Sequence, residues 1–263
     1  MPRTTHTAAR AAARATRAAR ENGILGSLLT TSNPKALLGE AAGYQTFLLH
    51  FAPARSSGFQ VCPMASAGCT AVCLGEHSGH SAIIKKGETT NAVRECRKRR
   101  TLWFFNDRDT FMLALVRDVE RAIRTAARRG LIPCFRLNAT SDIRWENEPC
   151  VRDGVTFPNI MSAFPGITFY DYTKLPNRRN LPTNYTLTFS RAEHNDTHAR
   201  AESDAGNNVA VVFRKTLPQT WNGRQVIDGL ATDLRFLDPR GVVVGLLAKG
   251  RKAQRDTSGF VLD

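Results

Sequence analysis

The sequence lacks long apolar runs and the familiar short motifs of nucleophilic catalysis. No run approaches the ~18 apolar residues that a membrane-spanning helix needs, so we expect no membrane partner. No G-x-S-x-G, P-loop or His-Glu-x-x-His motif occurs, which leaves nucleophilic catalysis of those types without support. No internal repeat is visible either.

Acidic residues are scarce relative to basic ones. The 263-residue chain has 23 Asp and Glu against 37 Lys and Arg, a formal charge of +14. A surplus of this size favours a polyanionic partner, and we expect nucleic acid. With 42% hydrophobic residues, the length predicts one α/β domain with a sizeable core, two small domains being the alternative.

Residues 3–20 contain no acidic residue at all. Arg3, Arg10, Arg14 and Arg17 fall on one narrow arc of a helical wheel, and the other face is mostly alanine. We expect that alanine face to be too weak to dock firmly on a core. The sequence therefore predicts a basic helical arm over residues 1–24, ahead of a domain at 25–263. Its role remains open between a nucleic-acid-contacting arm that uses Arg10, Arg14 and Arg17, a solvated tail and a targeting signal.

Cysteines are few and unevenly placed. Three of the six lie within residues 62–73, and the other three, Cys96, Cys134 and Cys150, are scattered. This is not the pattern of a secreted disulfide framework, so a reducing cytoplasm is the expected compartment.

The clustered cysteines have the spacing C-x6-C-x3-C, as Cys62, Cys69 and Cys73. Pro63, Gly68 and small side chains between them let a loop fold around a metal centre. Structural zinc usually draws on a second Cys or His knuckle, which is missing, whereas iron-sulfur clusters accept irregular triplets. An iron-sulfur cluster is therefore the favoured interpretation.

Two alternatives stay open for this loop. A zinc site would need His77, His80 or Cys96 as its fourth ligand. The thiols could also be unliganded or paired in a disulfide.

Six short apolar runs are predicted strands, at residues 46–52, 135–138, 167–172, 185–189, 209–213 and 242–247. One crossover lies between each pair, although residues 175–184 are short enough to hold no helix. This order is typical of a parallel βα series. We expect a partial (β/α)6 TIM-like barrel or an open parallel sheet.

Polar residues close most of these runs. The carboxyl ends of parallel strands share one edge, where α/β folds build their sites, and the cysteine loop follows the first strand to that edge. The candidates for ligand binding or catalysis beside the cysteines are Asn138, Ser141, Asp142, Tyr172, Lys174, Ser190, Arg214 and Lys249. For each of them alone, a structural role is the alternative.

Two helices with basic faces are predicted between the first and second strands. Residues 89–100 end in Arg97, Lys98, Arg99 and Arg100, which either contact phosphate or form a solvated face. Asp107 is expected to cap a long helix whose apolar stripe packs on the sheet and which ends at Gly130.

Several segments together resemble the gene product 88 proteins of bacteriophages and plasmids, from about residue 45 to the end. These segments are the cysteine loop, Arg136-Leu137-Asn138-Ala139-Thr140-Ser141-Asp142, Tyr170-Asp171-Tyr172-Thr173-Lys174 and Gly245-Leu246-Leu247-Ala248-Lys249-Gly250. The resemblance implies a phage or mobile-element protein in a bacterial host cytoplasm, and it supplies an origin rather than an activity.

A more distant resemblance is to radical S-adenosylmethionine (SAM) enzymes. These use a partial (β/α)6 barrel whose first loop carries three cysteines and a 4Fe-4S cluster with one open iron. Their loop is C-x3-C-x2-C and a Gly-Gly-Glu-type segment holds the methionine, whereas this chain has C-x6-C-x3-C and residues 138–142 instead. Asp142 or Glu146 could supply the missing acid, which makes SAM a candidate ligand.

Two functions follow as hypotheses. In the first, Cys62, Cys69 and Cys73 hold a 4Fe-4S cluster of an enzyme, whose small-molecule ligand is oriented by residues 138–142 and neutralised by Lys174 or Lys249. In the second, a structural cluster or zinc ion stabilises a non-catalytic nucleic-acid-binding protein.

Overall fold

The molecule is a mixed α/β fold around one mostly parallel sheet, seen in a computed structural model that describes residues 3–31 and 34–263, without the side chains of residues 3–8. The strands are β1 (Leu29–Thr30), β2 (Tyr44–Leu49), β3 (Ile132–Arg136), β4 (Cys150–Arg152), β5 (Val155–Phe157), β6 (Thr168–Thr173), β7 (Tyr185–Ser190), β8 (Val209–Phe213), β9 (Thr220–Trp221), β10 (Arg224–Asp228), β11 (Val243–Leu247) and β12 (Val261–Leu262). The helices are α1 (Arg3–Glu21), α2 (Pro34–Leu37), α3 (Ala67–Ala71), α4 (Leu74–His77), α5 (Ala92–Asn106), α6 (Arg108–Arg128), α7 (Ile160–Ala163), α8 (Asp196–Asp204) and α9 (Gly250–Gln254). Short 3-10 helices span Leu38–Ala42, Gly79–Ala82, Trp145–Asn147 and Arg235–Leu237.

The central sheet has the strand order β1-β2-β3-β6-β7-β8-β11-β10-β9, with β12 beside β8. The six strands expected from the sequence are β2, β3, β6, β7, β8 and β11, and they are parallel neighbours in chain order. Within the described part of this sheet, only the outermost strands β1 and β9 pair antiparallel, while β4 and β5 form a separate antiparallel pair. Within the described ranges no pairing joins the two ends of the sheet, so no closed barrel forms.

One face of the sheet is apolar and packs against α5 and α6. Because side chains alternate between faces along a strand, Phe47, Phe135 and Phe169 stack side by side on this face, with centroids 5.4 and 5.3 Å apart. They join a core with Phe104 of α5 and Phe111 of α6. The apolar face is therefore fixed by the two long helices.

The long helix α6 begins and ends as its sequence indicates. The carboxylate of Asp107 accepts a hydrogen bond from the backbone N–H of Thr110 at 3.3 Å, which caps the first turn. Leu115 and Val119 of its apolar stripe are fully buried. Gly130 then takes a positive φ of 67°, which lets the chain leave the helix.

Helix α1 docks on α6, contrary to the expectation for its alanine face. Ala15, Ala18 and Ala19 are buried in the main core, and Thr16 accepts a hydrogen bond from Arg117 of α6. Small side chains allow the two helices to approach closely, so a weakly apolar face still packs. The exposed side of α1 carries arginines Arg10, Arg14 and Arg17, while the Arg3 side chain lies outside the described part of the chain.

No helix within the described residues is both long and apolar enough to cross a bilayer.

Candidate functional site

The cysteine loop, residues 62–73, begins at the carboxyl edge of the sheet and is tied to the segment that follows β3. Asp142 donates its backbone N–H to the carbonyl of Val61 at 2.7 Å, and Thr140 donates its hydroxyl to the carbonyl of Phe51 at 2.7 Å. The thiol of Cys62 lies 3.8 Å from the carbonyl oxygen of Thr140. The first cysteine therefore sits beside the end of the neighbouring strand.

The short helix α3 inside this loop is held by Glu193, which follows β7. Ser66 caps α3 by accepting the N–H of Cys69 at 3.0 Å, and it donates its own hydroxyl to Glu193 at 2.6 Å. The second oxygen of Glu193 accepts the N–H of Gly68 at 2.7 Å. Partial burial works to raise the pKa of Glu193, but these two hydrogen bonds outweigh it and leave that pKa lowered. Sequence reasoning missed Glu193, although it stands just after a strand end like the other candidates.

Gly68 has no room for a side chain. A Cβ there would collide with the Ser258 hydroxyl and would lie 2.8 Å from the Cβ of Phe260 and 2.9 Å from the Glu193 carboxylate. Cys69 and Val72 pack in the same small apolar cluster as Phe260. The second cysteine, and Val72 just before the third, are thus positioned by the segment that leads into β12.

Two arginines of α5 hold helix α4, which directly follows the cysteine loop. Arg94 donates to the carbonyl of Glu76 at 2.8 Å, and Arg97 donates to the carbonyl of Gly75. Gly75 itself packs closely, because a Cβ at this position would lie 3.0 Å from the Pro53 side chain and 3.1 Å from the Thr140 side chain. Arg97, proposed from sequence as a phosphate ligand, is half-buried in this structural contact.

The other basic candidates of α5 differ in accessibility. Arg100 is buried and donates to the carbonyl of Ser27 at 3.1 Å. Lys98 and Arg99 are exposed, and the Arg99 side chain runs beside the Gly23 turn after α1.

The three thiols of the loop are close enough to influence one another. Burial raises the pKa of Cys62 to about 12, and the neighbouring Cys73, Asp142 and Cys69 add to that effect when they are ionised. Burial and the neighbouring Cys69 also raise the pKa of Cys73. These two side chains are neutral thiols near pH 7, so metal binding at this loop requires the release of protons.

Across residues 3–31 and 34–263, no three His, Cys, Asp or Glu side chains converge as ligands of a single metal ion. The Nε2 of His77 lies 3.3 Å from the Nζ of Lys252, and His80 is exposed. Cys96 is half-buried against the main core, while Cys134 and Cys150 are buried.

Asp142 connects the ends of β3 and β6. Its carboxylate accepts the Thr173 hydroxyl at 2.8 Å and the backbone N–H of Lys174 at 2.7 Å, and Arg178 lies 3.6 Å away. Burial is the largest influence and raises the pKa of Asp142 despite those contacts. The carboxyl group therefore sits beside the cysteines in a poorly solvated place.

Asn138 and Ser141 hold the turn that carries Asp142. The side-chain oxygen of Asn138 accepts the Ser141 hydroxyl at 2.8 Å, the Ile143 N–H at 2.9 Å and the Trp145 indole N–H at 3.1 Å. Asn138 also donates its amide to the Ile143 carbonyl at 2.9 Å. Its hydrogen-bonding capacity is used within the turn, so it acts on the site by positioning.

Lys174 and Ser190 meet at the ends of β6 and β7. The Lys174 ammonium donates to the Ser190 hydroxyl at 2.7 Å and lies 5.5 Å from the Phe260 ring centroid. Since Phe260 also packs against Cys69, this ammonium lies one side chain away from the cysteine loop.

The remaining candidates lie elsewhere. Arg214 is paired with Asp263 and donates to the carbonyl of Gln254 at 2.7 Å. Lys249 is exposed just before α9. Tyr172 is half-buried on the sheet face opposite the long helices, with the Arg136 guanidinium 4.7 Å from its ring centroid.

The family model described as gene product 88 matches residues 10–263. No curated protein and no solved structure matches the chain.

Proposed function

We propose that this chain, which belongs to the gene product 88 family, binds a 4Fe-4S cluster through Cys62, Cys69 and Cys73. What supports the proposal is the close spacing of the three cysteines in one loop that is held by the segments after β3 and β7. Three cysteine ligands leave one iron of such a cluster open to a small molecule.

The donor set favours a cluster over a single zinc ion. A tetrahedral zinc centre would bring thiolates to within about 3.8 Å of one another and needs a fourth ligand. A four-iron cluster spans a larger volume, so its cysteines need not converge on one point. His77, the nearest histidine in sequence, instead faces Lys252.

The neighbouring side chains suit a small molecule that carries a carboxylate group at the open iron. The Lys174 ammonium is a cation one side chain away from the cysteine loop, and Asp142 is a buried acid of raised pKa near Cys62. If SAM bound there, Cys62, Cys69 and Cys73 would hold the cluster, Lys174 would neutralise the SAM carboxylate, and the reduced cluster would supply the electron for reductive cleavage of SAM. The chain lacks the usual methionine-binding segment, so SAM is the first ligand to test rather than an assigned one.

Single cysteine variants test the site. We expect Cys62→Ser, Cys69→Ser and Cys73→Ser to lose most visible absorption of the anaerobically purified protein, while the control Cys96→Ser keeps it. Full absorption in all three loop variants would refute the cluster site. Incubation of the reduced protein with SAM then separates the ligands, because production of 5′-deoxyadenosine supports SAM and its absence rejects it.

A second candidate function is nucleic-acid binding with the cluster as a structural element. The observation in its favour is the docking of α1 on α6, which holds the exposed arginines of the two helices at fixed positions relative to one another. They are Arg10, Arg14, Arg17, Arg121, Arg124 and Arg128. Such a surface would bind phosphates with a strong dependence on salt.

A further inference from the structure

The sheet face opposite α5 and α6 is polar where three neighbouring strands meet. Arg136 of β3, Tyr172 of β6 and Thr188 of β7 all lie on it. Tyr172 and Thr188 are direct partners in the β6–β7 register, and the Arg136 guanidinium lies over the Tyr172 ring. The three side chains therefore line one continuous patch across the sheet.

Each of these three side chains has a buried donor without a partner. The Tyr172 hydroxyl, the Thr188 hydroxyl and the Arg136 Nε make no hydrogen bond within the described part of the chain. Thr188 is only 1% exposed, so solvent does not satisfy its hydroxyl. Buried donors are normally paired, so these three can each take a further acceptor. Among the described residues, the nearby Arg235 Nε is unpaired as well, and the Asp238 Oδ2 beside it has an ion pair with Arg235 but no hydrogen bond.

The side chains around the patch carry more positive than negative charge, and a negatively charged acceptor would neutralise the excess. Asp233 lies 2.9 Å from Arg136 and 3.5 Å from Lys35, and Asp238 lies 3.2 Å from Arg235. Three cations thus face two carboxylates in a poorly solvated region. Burial is the largest influence on Lys35 and lowers its pKa to about 8; Asp233 acts against this change, and the neighbouring Arg136, Arg235 and Lys249 add to it.

We propose that this patch binds the phosphate or carboxylate group of a small-molecule ligand. The Arg136 Nε–H and the hydroxyls of Tyr172 and Thr188 donate to its oxygens, and its charge balances the surplus cation. A metal cation is excluded from this role because the patch is already positive and offers donors. The Arg136 and Lys35 side chains are 16% and 18% exposed, which leaves a route for entry. The site uses none of the three loop cysteines, so it does not depend on the cluster.

The test compares anion binding in conservative variants of the full chain. Inorganic phosphate, adenosine 5′-monophosphate and acetate are titrated by calorimetry, with thermal unfolding followed in parallel. We expect at least one of them to bind saturably, and the double variant Tyr172→Phe/Thr188→Val to bind it about tenfold or more weakly. Binding of the phosphates without acetate assigns a phosphate site, and the reverse assigns a carboxylate site.

The variant's stability without the anion separates binding from folding. Because the removed hydroxyls have no partner, Tm in anion-free buffer is expected to stay unchanged or rise. Tyr44→Phe, on the same sheet face beside Phe236, is the matched control and should bind like the wild type. No saturable binding by any of the three anions, or equal affinity in the double variant, overturns the proposal. Iron content measured on the same samples shows whether the cluster is affected separately.

Discussion

At the residue scale, the cysteine loop depends on small contacts around its central glycine. Gly68 gives its N–H to Glu193 and lets the loop approach Phe260 with no side chain between them. The spacing of the cysteines indicates a metal loop, but it contains no information on Glu193, which is 120 residues downstream of Cys73. The one sequence feature that could have indicated Glu193 is its position just after β7, because the ends of the parallel strands share this edge of the sheet.

A methyl group at Gly68 should disturb the loop. Gly68→Ala is expected to cost about 2 kcal/mol of unfolding free energy through overpacking, and to lower cluster content. Gly26→Ala is the control because no atom lies within 4 Å of a Cβ there. Urea denaturation and iron analysis of both variants give the comparison; equal behaviour would show that the loop can move away from Phe260.

His50 should make the fold sensitive to mild acid. Burial first, and then the charges of Arg97, Arg100 and Arg136, lower the pKa of His50 to about 3. An unfolded histidine has a pKa of about 6.5, so the unfolded state binds more protons between these values. The stability linked to neutral His50 is therefore complete above pH 6.5 and is lost progressively as the pH falls.

This prediction can be measured by urea denaturation at pH 7.5 and pH 5.0. Between pH 7.5 and pH 5.0, the unfolding free energy of the wild type should fall by about 1 kcal/mol more than that of His50→Gln. This value is reduced to allow for the partial solvent exposure of the ring. Identical losses in the two proteins would mean that His50 is protonated without cost in the folded state.

At the element scale, α1 shows how a weak face can still dock. Its sequence indicates a helix with basic and alanine faces, and both features are present. The docking could not be predicted because it depends on α6 and on the following chain, where Leu28 donates its N–H to the buried Asp118 at 2.6 Å. That bond joins residues 90 positions apart, beyond the reach of a helical wheel.

A buried charge on α1 tests the docking. Ala15→Asp should lower the unfolding free energy by about 3 kcal/mol, because an unpaired carboxylate would be buried against the core. Ala13→Asp carries the same change on the exposed side of the helix and should stay within about 0.5 kcal/mol of wild type. Equal stabilities would indicate an undocked α1 in solution.

The exposed arginines of α1 and α6 give the nucleic-acid hypothesis a separate test. Arg14→Gln/Arg17→Gln should weaken binding to a DNA or RNA oligonucleotide and flatten the salt dependence by about two counterions. Lys215→Gln/Arg240→Gln removes the same charge from other exposed positions and should leave the slope nearer to wild type. If both double variants change the salt dependence equally, binding depends only on the net charge of the protein, and the surface of α1 and α6 is not the nucleic-acid interface.

At the scale of the whole molecule, the sequence predicted the six parallel strands because each is a short apolar run between polar crossovers. The structure also agrees that residues 175–184 connect β6 and β7 without a helix. The two-residue strands β1, β9 and β12 were missed because so few residues carry no detectable period. The longer strands β4, β5 and β10 were missed as well. The same limit hid Phe260, whose contact with the cysteine loop arises only when β12 pairs with β8.

Some residues of the two candidate sites could be predicted from the sequence, and others could not. Asp142, Lys174 and Ser190 lie at or after the ends of neighbouring strands and meet near the cysteine loop. This could be predicted because parallel strands end at the same edge of the sheet. Arg136 and Thr188 lie within strands, where polar residues usually only alternate with core positions. Their importance appears only when the register places them side by side with Tyr172.

The central claim is the 4Fe-4S cluster in the cysteine loop, and the most direct measurement is the iron and acid-labile sulfide content of the full chain purified without oxygen. We predict about four irons and about four sulfides per chain. A colourless protein with one zinc ion and no sulfide would contradict it.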